Sequence, residues 1–509
     1  MAQRPGAEGA KSGNVTTGAP TPPVALARAD GEIQDRLGGT RVEVGDALAR
    51  RLAGVCETVR DGDAVDEVAR DWWPIAIAWA LHGQVPARPG LLARPTDATQ
   101  VADVLAACDD ERVPVTVTAG RSGVCGGSVP VHGGLALDLT GLAGIRDVDD
   151  TSLVLDVLPG TFGTWLEETL QSDHGLTLGH WPQSIDLSTV GGWLACRSAG
   201  QLSTRYGKIE DMVVGLDVAL ADGRVVHTGG APRAAVGPDL NQVFVGSEGT
   251  LGVIVGARLR VHPAPTYFRD AAFGFASFAE GVDACRRVLR RGVTPAVLRL
   301  YDAVEGERNY ATGERHVLLV HDEGDDAIVD ATLDAVEEEC TGGEPLDDAL
   351  VRRWFEHRND VSALEHNYRR GVVVDTMEVA ASWRDCPRVY RETVDAIAAV
   401  AGTVVASAHL SHSYVDGACL YFTFAGVPPA DEADAYYRAV WDAGTAAALA
   451  AGAALSHHHG VGLNRARFVR RALGDAYDVL VALKHAIDPH GILNPGKLGL
   501  PDPFGPTGW

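Results

Sequence analysis

The run Gly120, Arg121, Ser122, Gly123, Val124, Cys125, Gly126, Gly127 and Ser128 constrains this chain more than any other segment. It directly follows Val113-Pro-Val-Thr-Val-Thr118, an apolar stretch that reads as a buried strand. Consecutive backbone N–H groups with little side-chain bulk form a concave anion site, suited to a pyrophosphate. The loop is neither GxGxxG opening a helix nor GxxxxGK followed by Ser or Thr, which disfavours a Rossmann or P-loop site. Taken alone, it is also compatible with an ordinary turn.

Composition narrows the class. The chain has 509 residues, 46% of them hydrophobic, enough for a sizeable core and for more than one domain. Its net charge is −24, and Lys11, Lys208, Lys484 and Lys497 are the only lysines among 44 basic residues. Nucleic acid and anionic lipid are poor partners for an acidic chain without a basic stripe, because neutralising phosphate takes clustered Lys and Arg. The eight cysteines contain no CxxC pair and read as reduced, mostly buried thiols. The N-terminus lacks a signal-peptide pattern, and no uncharged apolar run reaches the roughly 18 residues that span a bilayer. A cytoplasmic enzyme with no integral membrane segment is the expectation.

Residues 1–25, rich in Gly, Ala, Thr and Pro, are expected to form a disordered tail. A helical extension is expected over 26–87, with Val65, Val68, Ala69, Trp72 and Trp73 at mixed helical spacings before Pro74. Thr96 or Asp97 can cap a helix through Val101, Val104, Leu105 and Cys108. Short strands and Gly turns continue to about 265, and strand–helix–strand units follow from Ala271. Helices are expected at 432–451 and 464–487, with a His-rich loop between them.

Two further segments raise the weight of the glycine loop. One contains His180, Pro182, Ser184, Asp186, Ser188, Thr189, Gly191 and Gly192, and continues to Ser198 and Gly200. The other contains Glu248, Gly249, Gly252 and Ile254. Small residues let backbone approach a flat ring closely, while Ser and Thr supply single hydrogen bonds. In order, and with a return at Asp488-Pro-His-Gly-Ile-Leu-Asn494-Pro-Gly-Lys497, these motifs resemble the vanillyl-alcohol oxidase superfamily. The resemblance implies FAD as cofactor, held by the residues just named. It also implies a mixed α/β and α+β chain: a two-subdomain FAD-binding domain over 88–265, an α+β cap domain with antiparallel sheet over 266–455, and a segment 456–509 completing the active site. Some members tether FAD through a His in the first loop. Val124 and Cys125 stand there instead, and non-covalent FAD is expected.

Within the superfamily the chain is most similar to the alkyldihydroxyacetonephosphate synthases, flavoenzymes of ether-lipid synthesis. That similarity rests on Thr189-Val-Gly-Gly-Trp193, Tyr206-Gly-Lys-Ile-Glu-Asp211, Arg299-Leu, Ser413-Tyr-Val-Asp-Gly-Ala-Cys-Leu-Tyr-Phe422 and Ser456-His-His-His-Gly-Val-Gly462. It implies that Tyr414 is an acid/base at the substrate carbon and that His457, His458 and His459 move protons beside the flavin. Arg299 would hold an anionic group, with His180 also at the substrate, and the protein would be a homodimer acting on a small-molecule or lipid-like substrate. A His titrates near neutrality, a Tyr can lose a proton among cations, and Arg offers a permanent charge. As a bland alternative, Tyr414 is a core aromatic and Arg299 a surface cation. The three His, with His409 and His412, could also hold a metal, but consecutive positions on an extended loop seldom point at one ion, and no metal is expected. Where the synthases carry Lys-Leu-Arg-Lys after the triplet, this chain has Leu463-Asn-Arg-Ala-Arg467. Two enzymatic readings follow: a redox-neutral, synthase-like transferase reaction through flavin N5, or FAD-linked oxidation of a 2-hydroxy acid or alcohol. A catalytically dead flavin binder is a third, disfavoured by the acid/base residues.

Overall fold

The computed structural model describes residues 25–27, 33–359 and 363–509. The tail expected over 1–25 lies outside the described residues except for its last position. Three sheets organise the chain. The first sets Glu57–Val59, Leu91–Arg94, Leu135–Asp138 and Val115–Thr118 side by side, the last three parallel. Asp97 caps the helix Ala98–Glu111 by accepting from the amide of Gln100, and Val101, Val104, Leu105 and Cys108 on its inner face bury against this sheet. The edge strand Val115–Thr118 is extended by the C-terminal segment: Val115 N–H donates to Ile492 O, and Asn494 N–H to Val115 O, both at 2.8 Å. Residues nearly 400 apart in sequence thereby frame the glycine loop.

The second sheet is antiparallel, in the order Val225–Gly229, Val213–Ala219, Val253–Arg260, Val154–Val157, Ile145–Asp149. The third has seven antiparallel strands: Glu344–Leu346, Tyr267–Phe275, His316–Gly324, Val297–Tyr301, Thr403–Ser413, Gly417–Gly426 and Val373–Ser382. Strands 267–275 and 297–301 are joined by a helix, as their spacing suggests, but His316–Gly324 is inserted between them. The unit is therefore a split β-α-β. The mixed architecture with an antiparallel cap is the one read from the sequence.

The cap sheet works because its faces alternate. Leu298, Leu300, Leu318, Val320, Leu420, Phe422 and Phe424 bury against helices that include Phe278–Arg290 and Ala433–Ala450. Each such side chain contributes roughly 1.5–3 kcal/mol of burial. Arg299, Tyr301, Tyr421 and Thr423 occupy the alternate positions and face a cavity. A register shift between Ser411 and Ser413, with His412 at φ 50°, marks a bulge in Thr403–Ser413. Regular alternation would put His412 on the helix side with Leu410. The bulge re-aims it to the cavity side with His409 and Ser411.

The helical region expected before Pro74 forms the helix Asp63–Val68, and a second helix, Pro74–Ala80, starts at the proline, with Trp72 and Trp73 in the connection. The Asp71 carboxylate accepts from the Trp73 amide at 3.0 Å and fixes a turn there, and Pro74 suits a helix start because it has no N–H to satisfy. The last expected helix divides at Gly474, whose φ of 56° and ψ of −132° no helix accommodates, into Val469–Leu473 and Ala476–Ile487. Among the described residues no helix is long and apolar enough to cross a membrane.

Candidate active site

A cavity of about 990 Å³ is lined both by the glycine loops and by the cap sheet. Its first wall is mainly backbone. Gly120, Arg121, Ser122, Gly123, Val124, Cys125, Gly127 and Ser128 line it, with Pro182, Ser184, Thr189, Gly191, Gly192, Ser198, Glu248, Gly249, Gly252 and Ile254. Gly120 is required by close approach, since a Cβ there would sit 2.2 Å from Leu187 O. Asn494 Nδ2 donates to Gly127 O at 3.0 Å and to Glu248 O at 2.6 Å, tying the first and third motifs together. The Glu248 carboxylate accepts from the amides of Val461 and Gly462 and so binds the loop after the His triplet.

The second wall is a network of side chains. Arg299 Nη2 donates to His409 Nε2 at 2.6 Å, and Arg299 Nε to Tyr301 OH at 2.8 Å. Because His409 Nε2 accepts, its Nδ1 carries the proton and donates to Glu305 Oε2 at 2.8 Å. Burial would raise the Glu305 carboxyl, but His409 and further donors bring it down to about 2. Burial first, and then Arg299, pushes His409 down to about 4. Arg299 is thus locked by a neutral imidazole rather than by an acid.

His457–His459 are held by Glu378, which sequence reasoning missed. Glu378 is fully buried in Val373–Ser382, on the same face as Val374 and Thr376. Its carboxylate accepts from the amides of His457 and His459 (2.7 Å for the latter) and from Ser456 Oγ at 2.8 Å. Arg465, also fully buried, stands 3.2 Å away as counter-ion, stacked over Trp441 at 4.8 Å. This carboxylate folds three successive His into a turn. The signal available in the sequence was a lone Glu inside the apolar run Val-Val-Asp-Thr-Met-Glu-Val-Ala-Ala.

Tyr414 OH lies 3.0 Å from His457 Nε2 and 3.5 Å from Ser203 Oγ. His457 Nδ1 meets His458 Nδ1 at 2.9 Å, and Ser203 Oγ meets His412 Nδ1 at 2.8 Å. These contacts make a continuous proton path from His458 through His457, Tyr414 and Ser203 to His412. His459 Nε2 contacts Tyr421 OH at 3.2 Å. Burial lowers all three imidazoles, His459 to about 4 and the other two well below their usual range. Burial raises the Tyr414 phenol, and Glu210 and Asp211 push it the same way. The tyrosine is therefore a proton donor here, not the anion that a ring of cations would create.

The predicted residues divide by place. His458, His459 and Arg299 line the cavity, whereas Tyr414 and His457 stand one layer behind it. His180 is buried against Trp193 with Nε2 3.3 Å from Ser198 Oγ, and burial pushes it down to about 3; it does not line the cavity. Gly126, Asp186, Ser188, Gly200 and Asn494 also lie behind the first wall. Gly126 packs on Trp73 and Leu463, Asp186 accepts from Thr164 Oγ1, Ser188 Oγ accepts from Trp193 Nε1 at 2.7 Å, and Gly200 backs onto Trp181. Among the described residues, Cys419, His457 and His458 have metal-compatible spacing, but the two His nitrogens there already face each other.

The first wall fits FAD. Thr118 Oγ1 and Ser128 Oγ are buried at the cavity without a hydrogen-bond partner, and the exposed amides of the glycine loop supply anion donors. Comparison with known proteins agrees. Residues 89–229 match the family described as FAD binding domain, and residues 264–498 the family described as FAD linked oxidases, C-terminal domain. The FAD-linked oxidoreductase YgcU of Escherichia coli O157:H7 is 30% identical over 423 residues, 78% of this chain and 86% of that protein. The alkyldihydroxyacetonephosphate synthase of Dictyostelium discoideum is 29% identical over 459 residues, 82% of this chain and 74% of that protein. A solved alkyldihydroxyacetonephosphate synthase structure superposes with a TM-score of 0.75 at 23% identity, covering 92% of this chain and 90% of the other.

Proposed function

The chain belongs to the FAD-linked oxidases of the vanillyl-alcohol oxidase superfamily, and from that premise we propose that it oxidises the hydroxyl-bearing carbon of a small anionic substrate. The observation that carries this reading is the pairing, on one cavity wall, of a half-buried Arg299 with neutral His458 and His459. When bound, FAD supplies the two-electron acceptor. Arg299 holds the substrate's carboxylate or phosphate through its remaining N–H groups. His458 Nε2 takes the hydroxyl proton, and the path through His457, Tyr414 and Ser203 relays it away. Burial keeps these imidazoles free to accept.

A second reading, redox-neutral exchange as in the synthases, draws support from the Tyr414–His457 hydrogen bond and from an apolar stretch of the cavity at Leu364, Val372, Val374, Val405 and Ala425. It ranks second because Tyr414 in this setting holds its proton.

Anaerobic titration of the FAD-loaded protein separates them. Bleaching of the flavin band by a D-2-hydroxy acid, reversed by a dye acceptor and weakened at least 100-fold in Arg299→Met, is expected. Bleaching only by acyl-dihydroxyacetone phosphate, restored by fatty alcohol, would establish the synthase reaction instead.

A further inference from the structure

Arg299 does not account for all the positive charge in the cap-side cavity. Arg308, Arg353 and Arg358 line it as well. Arg308 lies on the helix Ala303–Tyr310 and Arg353 on Ala349–His357, with Arg358 immediately after it. Arg353 and Arg358 pack against aromatic rings, whereas Arg308 faces Glu305. Arg353 Cζ lies 6.0 Å from the Tyr310 ring, and Arg358 Cζ 5.6 Å from Trp354 and 4.7 Å from Phe355. Arg299 shares Trp354 at 5.8 Å, and Tyr301 and Tyr310 pack edge to face at 5.4 Å, so inner and outer arginines belong to one aromatic cage.

Among the described residues, the carboxylate within the cage is Glu305, which is buried, bonded to His409, and 3.4 Å from Arg308. No carboxylate among the described residues pairs with Arg353. Elsewhere a surface arginine such as Arg269 meets three acids. In a chain of net charge −24, the described residues on the cap side of the cavity set Arg299, Arg308 and Arg353 around one carboxylate, which concentrates attraction for anions there.

We propose that Arg308, Arg353 and Arg358 form an outer anion subsite, so that the substrate carries a second anionic group, phosphate or carboxylate, remote from the carbon that reacts beside Arg299. This rests on the oxidation reading for the inner site, but the subsite itself can be measured without turnover. Planar, permanently charged forks held on rings are pre-organised for an oxyanion and lose little freedom on binding it.

The test is calorimetric titration of the FAD-loaded protein with inorganic phosphate and, separately, with succinate, in wild type and in Arg353→Glu. Arg353 is exposed, so the substitution leaves the core intact. Saturable binding of at least one anion is expected, weakened tenfold or more by Arg353→Glu and by raising salt from 0.05 to 0.5 M, as expected for exposed charges on the scale of a roughly 10 Å screening length at 0.1 M. Tighter phosphate identifies a phosphoryl group, and tighter succinate a carboxylate. Equal binding by both proteins, or no binding of either anion, overturns the subsite. In parallel, flavin bleaching by D-malate should outpace that by D-lactate in wild type, and the ratio should fall tenfold in Arg353→Glu. If neither acid bleaches the flavin while phosphate binding depends on Arg353, the oxidation reading fails and the subsite stands.

Discussion

The two walls of the cavity are built on opposite principles. The glycine-loop wall is mainly backbone, its shape set by residues whose side chains are small or absent and whose sequence neighbours are local. The cap wall is mainly side chain: Arg299, His409, Glu305, Glu378, Arg465 and the His triplet arrive from distant strands and loops and lock one another. A backbone wall tolerates no added atoms where strands approach as closely as at Gly120, but it asks little of its surroundings. A side-chain wall tolerates shape changes poorly where charges are buried, because each group is placed by the charge of its neighbour.

The comparison is most sharply broken at Gly120. A Cβ there would lie 2.2 Å from Leu187 O and 3.2 Å from the Ser188 Cα, both backbone positions that cannot swing aside. Gly120→Val is expected to abolish FAD retention through purification, read as loss of the flavin band relative to protein absorbance, with secondary structure preserved by circular dichroism. Gly230, with open space at the same position, gives the contrast. Its φ of 100° strains any substitution, so Gly230→Asn loses some stability but keeps its flavin. Full FAD occupancy in Gly120→Val would mean that the loop does not contact the cofactor.

Glu378 tests the other wall. Glu378→Ala leaves Arg465 buried without its counter-ion and two His amides without their acceptor, a change that costs about 3–5 kcal/mol. Denaturant unfolding checks it. Glu378→Ala with Arg465→Met should recover part of that loss, because the uncompensated charge is removed with its partner. The smaller Glu378→Gln substitution should leave the flavin bound yet slow substrate bleaching by about tenfold, since the His turn loses charge-assisted bonds rather than its shape. If the double variant is no more stable than Glu378→Ala, the pair is not coupled as described.

The same contrast explains what was legible in the sequence. The flavin-side loops were readable because their chemistry is local: Gly120–Ser128 directly follows a strand, and two further small-residue motifs in fixed order set it apart from an ordinary turn. The antiparallel cap and the choice of Arg299 came from the family resemblance rather than from the residues alone. Glu378 was not readable, because an acid inside an apolar run acquires meaning only when Ser456–His459 folds onto it, 78 residues downstream. The same holds for the bulge that turns His412 inward and for Asp71, whose carboxylate fixes the turn before Pro74. Asp186 and Ser188 sit inside the same motif without lining the cavity, their side chains engaged by Thr164 and Trp193.

The mildest test uses pH. His409 and His459 are held down to about 4 and His180 to about 3, chiefly by burial, whereas the glycine-loop wall contributes backbone amides that do not titrate. In the unfolded chain these imidazoles take up protons below about pH 6.5, while the folded chain refuses them until about pH 4. On these histidines the unfolded state thus binds more protons in that window, and their contribution to stability falls as pH drops from about 6.5 to 4. Asp71, Asp302 and Asp375, held up by burial to about 7, 6 and 7, contribute in the opposite direction. The neutral imidazoles that accept the substrate proton persist through the same window. Substrate bleaching of the flavin should therefore stay nearly constant from pH 8 down to about 5. An acid limb in bleaching near pH 6.5, tracking an ordinary solvated imidazole, would show that the base is not one of the buried histidines. It would place the proton acceptor outside the side-chain wall.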